Sequence, residues 1–480
     1  MAGQDGKTPP PGSAPPASQD TSTTEAPRPL AQVVSRAERT DWAFTGLLAF
    51  TALLFFRPQE QIPLLNPLHL AEISALLALA AMVMGRMGRG LSISRYTPEL
   101  GGVLLVGFTI LATAPLSIWP GGAIATFTEI YSKIILIFIL MLNTLTNPKR
   151  IDRFLWLIVF ASGYIALRAV GDYARGINLV ENGRVQGSVG GMFKNPNDLA
   201  LNMVAVMPLA TALAMRSRTM IGRLAAAACA LVMVGAVVVS QSRSGTIGLA
   251  VMIVILGGSI ARRKPAIAVA GVLALFLALP LMPASYWHRI SSITDGSQDE
   301  TGSREARRIL LRESFQAFLS HPLTGVGAGQ FKNYDPEGRE QAWRESHNVV
   351  LQVAAELGIV GLGGFLFLVG RAVMSPAKTR RLLKVAGGIP GRRKKQLDPG
   401  AVVTPAESEW LRSHTSAMIA ALAGWFFCAL FASVAYNWTF YYLLALAVAP
   451  REFLIDRLGL SRAPRNTAAS ATRELQVVRA

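Results

Sequence analysis

Apolar runs of roughly 17–22 residues recur along this chain, each about long enough to cross a bilayer core, which takes about 20 residues of helix. Stretches such as KIILIFILMLNTL and RLAAAACALVMVGAVVVS do not alternate apolar with polar residues, as the strands of a membrane barrel must. They predict an all-α polytopic membrane protein. The composition agrees, with 51% hydrophobic and 16% charged residues in 480. The expected spans lie at about 42–56, 66–85, 99–116, 128–146, 151–171, 199–215, 223–240, 244–261, 265–283, 348–372, 413–434 and 438–455, about twelve helices.

A formal charge of +18 raises the question of nucleic acid, which the placement of the charge answers. Lys and Arg sit in short connections, with no basic stripe interleaved with aromatics, so no nucleic-acid partner is expected. The basic connections RMGRGLSISR, NPKRIDR, RSRTMIGR, ARRKP and the 371–412 segment all fall on one side of the expected bundle, the cytoplasmic side by the positive-inside rule. Residues 1–40, rich in Pro, Ser, Thr and Ala, read as a disordered cytoplasmic tail. Helices 1–9 then occupy 41–283, a large outer loop 284–347, helices 10–12 the stretch 348–457 with its basic loop 371–412, and a second cytoplasmic tail 458–480. Within the outer loop, REARRILLRESFQAFL predicts a basic amphipathic helix at the membrane surface, with Ile309 or Leu311, Phe315, Phe318 and Leu319 on one face. Tyr286 and Trp287 suit an interfacial aromatic belt. Cys229 and Cys428 lie inside apolar runs and read as buried free thiols.

No D-x-D, H-E-x-x-H, Walker A or GxSxG pattern occurs, so metal-free chemistry without a cofactor is expected. The outer side instead offers arginines at membrane-edge positions: Arg184 in ENGRVQGSVGG, Arg243 in SQSRSG and Arg304 in TGSREARR. A guanidinium fork suits the paired oxygens of a diphosphate and keeps its charge in a partly dry site. Any single surface arginine more often snorkels to the interface, but Arg243 sits in a very short connection between two apolar spans, where an unused charge is costly. Arg307, Arg308 and Arg312 read as headgroup contacts. His347, at the start of SHNVVLQVAAELGIVGLGG, can take or give a proton near neutral pH, or simply cap the helix that follows. Glu356, nine residues on, falls on the opposite helical face about 13 Å away, so it is expected to pair with a neighbouring element and not with His347. The glycines at 358, 361, 363 and 364 read as helix-packing positions. In GGMFKNPNDLA, Asn197 or Asp198 beside Pro196 is the expected helix cap.

Four stretches in order, GRVQGSVGGMFKNPNDLA, SQSRSG, HPLTGVGAGQF and His347-Asn348 followed after nine residues by Gly358-x-x-Gly361, resemble the O-antigen ligase-like membrane proteins. That group includes O-antigen polymerases and protein O-oligosaccharyltransferases. One departure is that Arg243 is followed by Ile247 where the ligase pattern R-x-x-x-L has leucine, while Arg307 to Leu311 in the outer loop fits it. The resemblance implies a GT-C-like fold in the inner membrane and a periplasmic active site. It also implies an undecaprenyl-diphosphate-linked glycan as donor, a lipid A-core hydroxyl as acceptor, and inverting transfer without metal. On that reading Arg184, Arg243 and Arg304 hold the diphosphate, and His347 is the base or positions the diphosphate. A polymerase or protein-directed transferase using the same donor is the alternative. A transporter is the third reading, kept open by Glu72, Glu129, Lys133, Arg168 and Glu356 within or near spans.

Overall fold

The computed structural model describes residues 41–180, 183–188, 193–291, 303–337, 339–340, 344–387 and 403–460. The expected tails at 1–40 and 461–480 lie outside the described residues, as do 292–302 of the outer loop and 388–402 of the basic loop. A helix falls on each expected span: α1 (Trp42–Phe56), α2 (Leu70–Met87), α3 (Pro98–Thr113), α4 (Pro120–Thr144), α5 (Pro148–Arg175), α6 (Pro196–Arg216), α7 (Met220–Ser240), α8 (Arg243–Ala261), α9 (Pro265–Ala278), α12 (Val349–Val385), α13 (Pro405–Ala429) and α14 (Trp438–Arg457). The outer loop adds α10 (Ala284–Ser291) and α11 (Ser303–Ser320). Eight of these are long and apolar enough to cross a membrane, namely α2, α4 to α8, α12, and α3 with the turn that follows it. By length and composition the structure supports eight crossings of the twelve expected.

The helix starts follow from local chemistry. Polar caps followed by proline open α3 (Thr97, Pro98), α5 (Asn147, Pro148) and α13 (Thr404, Pro405), and Thr404 with Glu407 forms a reciprocal capping box. That box starts α13 eight residues before the apolar run at 413, because its first turns bury polar groups instead of lipid-like ones. Trp410 donates to Asp152 (2.9 Å), Arg216 pairs with the same carboxylate, and His414 stacks on Trp410. Hydropathy alone misses such a turn. The core runs along α14, buried on nearly every side from Thr439 to Pro450, with α12 and α13 packed against it and α6 against α13. Conversely, α9 leaves Val269, Val272, Leu273 and Phe276 exposed, a surface suited to lipid and not to water.

The longest helix is broken where the outer loop meets it. Gly358 in α12 has φ 63° and ψ −162°, which interrupts the helical hydrogen bonds. The freed groups find partners in the HPLTGVGAGQF loop: Val326 N donates to Ala355 O (2.8 Å), Gly327 N to Glu356 O (3.0 Å), and Ile359 N to Pro322 O (2.8 Å). A methyl group at Gly358 would sit 2.5 Å from the Leu323 carbonyl carbon. The packing role expected for this glycine is therefore corrected: it is a break that receives a loop. Gly364 does pack as expected, against Val106 on α3.

Beside this junction α11 builds a small satellite core from Leu310, Ala317, Val326, Phe331 and Ala355. Its buried stripe is Leu310, Glu313, Ser314 and Ala317, spaced to fall on one helical face, whereas Leu311, Phe315 and Leu319 point outward. The apolar face expected from the sequence is thus the outer one. Tyr286 is buried rather than belted, its hydroxyl 3.1 Å from Thr246 on α8, while Trp287 stays exposed.

Candidate functional site

His347 is held by its backbone. Its φ of 51° is unusual for a non-glycine residue, and its amide donates to Ser433 Oγ (2.9 Å), in the connection between α13 and α14. The cap of α12 is Asn348, whose Oδ1 accepts from Val350 N (2.9 Å) and Leu351 N (3.0 Å) while Nδ2 donates to Leu430 O (3.1 Å). Capping therefore does not account for the histidine. Its half-buried ring has its pKa lowered to about 4, first by burial and then by the charges of Arg307 and Arg344. At neutral pH the imidazole is uncharged and able to accept a proton.

Arg307, expected from the sequence as a headgroup contact, lies near enough to His347 for its charge to bear on the ring. The signal that could have found it was present, since Arg307 to Leu311 is the R-x-x-x-L of the loop. Arg304 lies in the first turn of α11, and its side chain falls outside the described residues.

Arg184 and Arg243 meet at a second corner. Leu179–Val180 (β1) and Arg184–Val185 (β2) form a minimal antiparallel hairpin that carries Arg184 inward. There the buried guanidinium donates through Nε to Ser240 O (3.2 Å) and through Nη2 to Asn197 Oδ1 (2.9 Å). Ser242 Oγ donates to the same Asn197 oxygen (2.8 Å) and, as the α8 cap, accepts from Gly245 N (3.1 Å). Gln241, at φ 49°, reverses the chain between α7 and α8, so Arg243 opens α8 at this corner and reaches toward Arg289 O on α10 (3.4 Å). The cap of α6 is Asn195, not Asn197 or Asp198 as expected. That shift frees Asn197 to hold Arg184 and Asp198 to line a cavity.

A cavity of about 300 Å³ is lined by Thr126, Ile130, Asp198, Gly329, Lys332, Glu345, Gln352, Glu356, Ser433, Tyr436 and Asn437. Glu345 sits two residues before His347, and its charge bears on Asp198, which ties the His347 segment to the Arg184 corner across the cavity. Thr126 begins a π-helical turn in α4, a local widening often found at functional sites. Glu356 is buried, accepts from Gly329 N (2.9 Å) and makes no direct pair with His347. The separation expected from helix geometry holds, and the partner is the glycine-rich loop. Three carboxylates, one ammonium and several amides and hydroxyls make this a chamber for a hydroxyl-rich ligand.

Residues 228–366 match the family model described as O-Antigen ligase. The matched stretch holds Arg243, Arg307, the HPLTGVGAGQF loop, His347 and the break at Gly358, and leaves out Arg184, Asp198 and Ser433. No curated protein matches the chain.

Proposed function

We propose, from the premise that the chain is a member of the O-antigen ligase family through residues 228–366, that it transfers a glycan from undecaprenyl diphosphate to a hydroxyl of lipid A-core on the periplasmic face of the inner membrane. The observation that carries this reading is the polar cavity lined by Glu345, two residues from His347, and by Asp198, next to the Asn197 that holds Arg184, with the charges of Arg307 and Arg344 bearing on the His347 ring. In this mechanism Arg307, Arg243 and Arg184 hold the diphosphate. The acceptor hydroxyl gives its proton to His347 as its oxygen attacks the sugar C1. The bond from C1 to the diphosphate oxygen breaks, and the electron pair leaves with undecaprenyl diphosphate, whose growing charge the arginines stabilise. A single displacement inverts the anomeric centre. Arg304, at the start of α11 with its side chain outside the described residues, keeps the diphosphate role that the resemblance implies.

The lowered basicity of His347, to which Arg307 and Arg344 contribute after burial, fits this order of events. A bound diphosphate offsets the two cations that disfavour imidazolium, so the ring becomes a stronger base once the donor is in place. The test supplies purified protein with lipid-linked glycan and, separately, lipid A-core or a second lipid-linked glycan as acceptor. Extension of lipid A-core supports the ligase. Extension of the lipid-linked acceptor alone makes the protein a polymerase.

A further inference from the structure

At the opposite end of the bundle from His347, three elements bring arginines together with no acidic partner among the described residues. Arg262 and Arg263 form the turn between α8 and α9, Arg380 lies near the end of α12, and Arg412 lies in α13. Arg263 is 20 residues beyond Arg243, about 30 Å along α8 from the candidate site. Arg380 donates to Thr415 Oγ1 (3.2 Å) and Ser416 Oγ (2.9 Å). Arg263 reaches the same Ser416 Oγ (3.5 Å) and Arg412 O (3.4 Å). Two guanidinium groups thus converge on one hydroxyl, which itself donates to Arg412 O (2.9 Å).

Among the described residues none of the four arginines has a carboxylate within ion-pair distance. Glu409 acts on Arg263 only at longer range, against the like charges of Arg412 and Arg380, and the Arg262 charge bears on Arg380. Burial and these like charges lower the pKa of Arg263, so the cluster is a set of cations held together against their own repulsion. An anion relieves that repulsion, and guanidinium forks match phosphate oxygens. The turn leads directly into α9, whose Ile267, Val269, Leu273 and Phe276 are exposed. A phosphate carried on acyl chains therefore finds its charge partner and its apolar surface side by side.

We propose that Arg262, Arg263, Arg380 and Arg412 form a binding site for the phosphate of an anionic phospholipid whose acyl chains lie along the exposed face of α9. Basic pockets between spanning helices at the end with basic connections are the usual seat of such headgroups. The site is independent of the glycan-transfer reading.

The test is native mass spectrometry of the full chain in mild detergent with phosphatidylglycerol or phosphatidylcholine. Phosphatidylglycerol is expected to remain as a discrete adduct, and Arg263→Gln/Arg380→Gln to weaken it roughly tenfold or more. The control Arg89→Gln/Arg223→Gln, which removes two exposed arginines bonded to nearby backbone carbonyls, is expected to leave the adduct intact. Equal retention of the two lipids, an equal loss in the control, or displacement of the lipid by millimolar inorganic phosphate overturns the proposal. Thermal unfolding in the same detergent checks the fold. If the double variant unfolds, Arg263→Gln alone, altered at an exposed side chain with only long contacts, gives the reading through a smaller loss in the same direction.

Discussion

At the scale of single residues, burial of His347 and the charge of Arg307 on its ring give the proposed reaction a pH signature. Activity requires the neutral imidazole, so kcat/KM rises with pH through the pKa of His347 in the free enzyme and is flat above it. With that value near 4, the acid limb is expected near pH 4, well below the ~6.5 of an ordinary histidine. Arg307 disfavours the imidazolium, so Arg307→Gln raises the pKa and moves the limb to higher pH, while weakening the donor about tenfold in KM. A pH profile of transfer by both proteins checks the sign, and a limb that stays put or moves down contradicts the pairing. His347, Arg243 and Arg184 stand out in the sequence as candidates because each lies in a short polar motif against an apolar background. Arg307 was marked only by its R-x-x-x-L spacing to Leu311, because it sits among three other arginines of α11 and the sequence does not tell whose charge bears on His347. Asn197 and Asp198 were misread for a related reason: three residues in NPND can cap a helix, and only the chain's path shows that Asn195 does.

At the scale of elements, the junction between the HPLTGVGAGQF loop and the break in α12 positions the site. Gly358→Ala adds strain at φ 63° and a clash with the Leu323 carbonyl, so it is expected to cost about 2 kcal/mol or more and to lower the midpoint of thermal unfolding. Gly363→Ala, where an added methyl meets nothing within 4 Å, is expected to change stability by less than about 0.5 kcal/mol. Equal effects from the two substitutions would refute the break. Gly325, at φ 66°, approaches the Glu356 backbone so closely that it too admits no side chain. Periodicity could not distinguish Gly358 from the packing glycine Gly364, since both occur in the same apolar helix. The helices themselves were legible, because twenty consecutive apolar residues have few other solutions. Their ends were less so, as α13 illustrates: its first turns carry Trp410 and His414 into a buried polar cluster.

At the scale of the whole molecule, two of the polar groups within spans that suggested transport are matched to one another. Lys133 on α4 pairs with Glu72 on α2 (2.9 Å), and Arg168 lies against Tyr164 on its own helix. A third network, not anticipated from the sequence, ties α3, α12 and α14 together: Glu99 accepts from Arg451 through both oxygens (2.6 and 2.8 Å) and from Arg371 (2.7 Å). Removing one partner of such a buried set leaves charge uncompensated, so Glu99→Gln is expected to destabilise the protein by about 3 kcal/mol. The transfer rate per folded molecule should remain unchanged. Thermal unfolding and a transfer assay on the same sample separate the two, and a variant of normal stability would show that the network does not hold the helices. The central claim, glycan transfer at His347, is tested most directly by purified protein with an undecaprenyl-diphosphate-linked glycan and lipid A-core. The wild-type chain is expected to form the joined product, and His347→Ala to lose transfer by about 100-fold or more while remaining folded. Full transfer by His347→Ala would contradict the account.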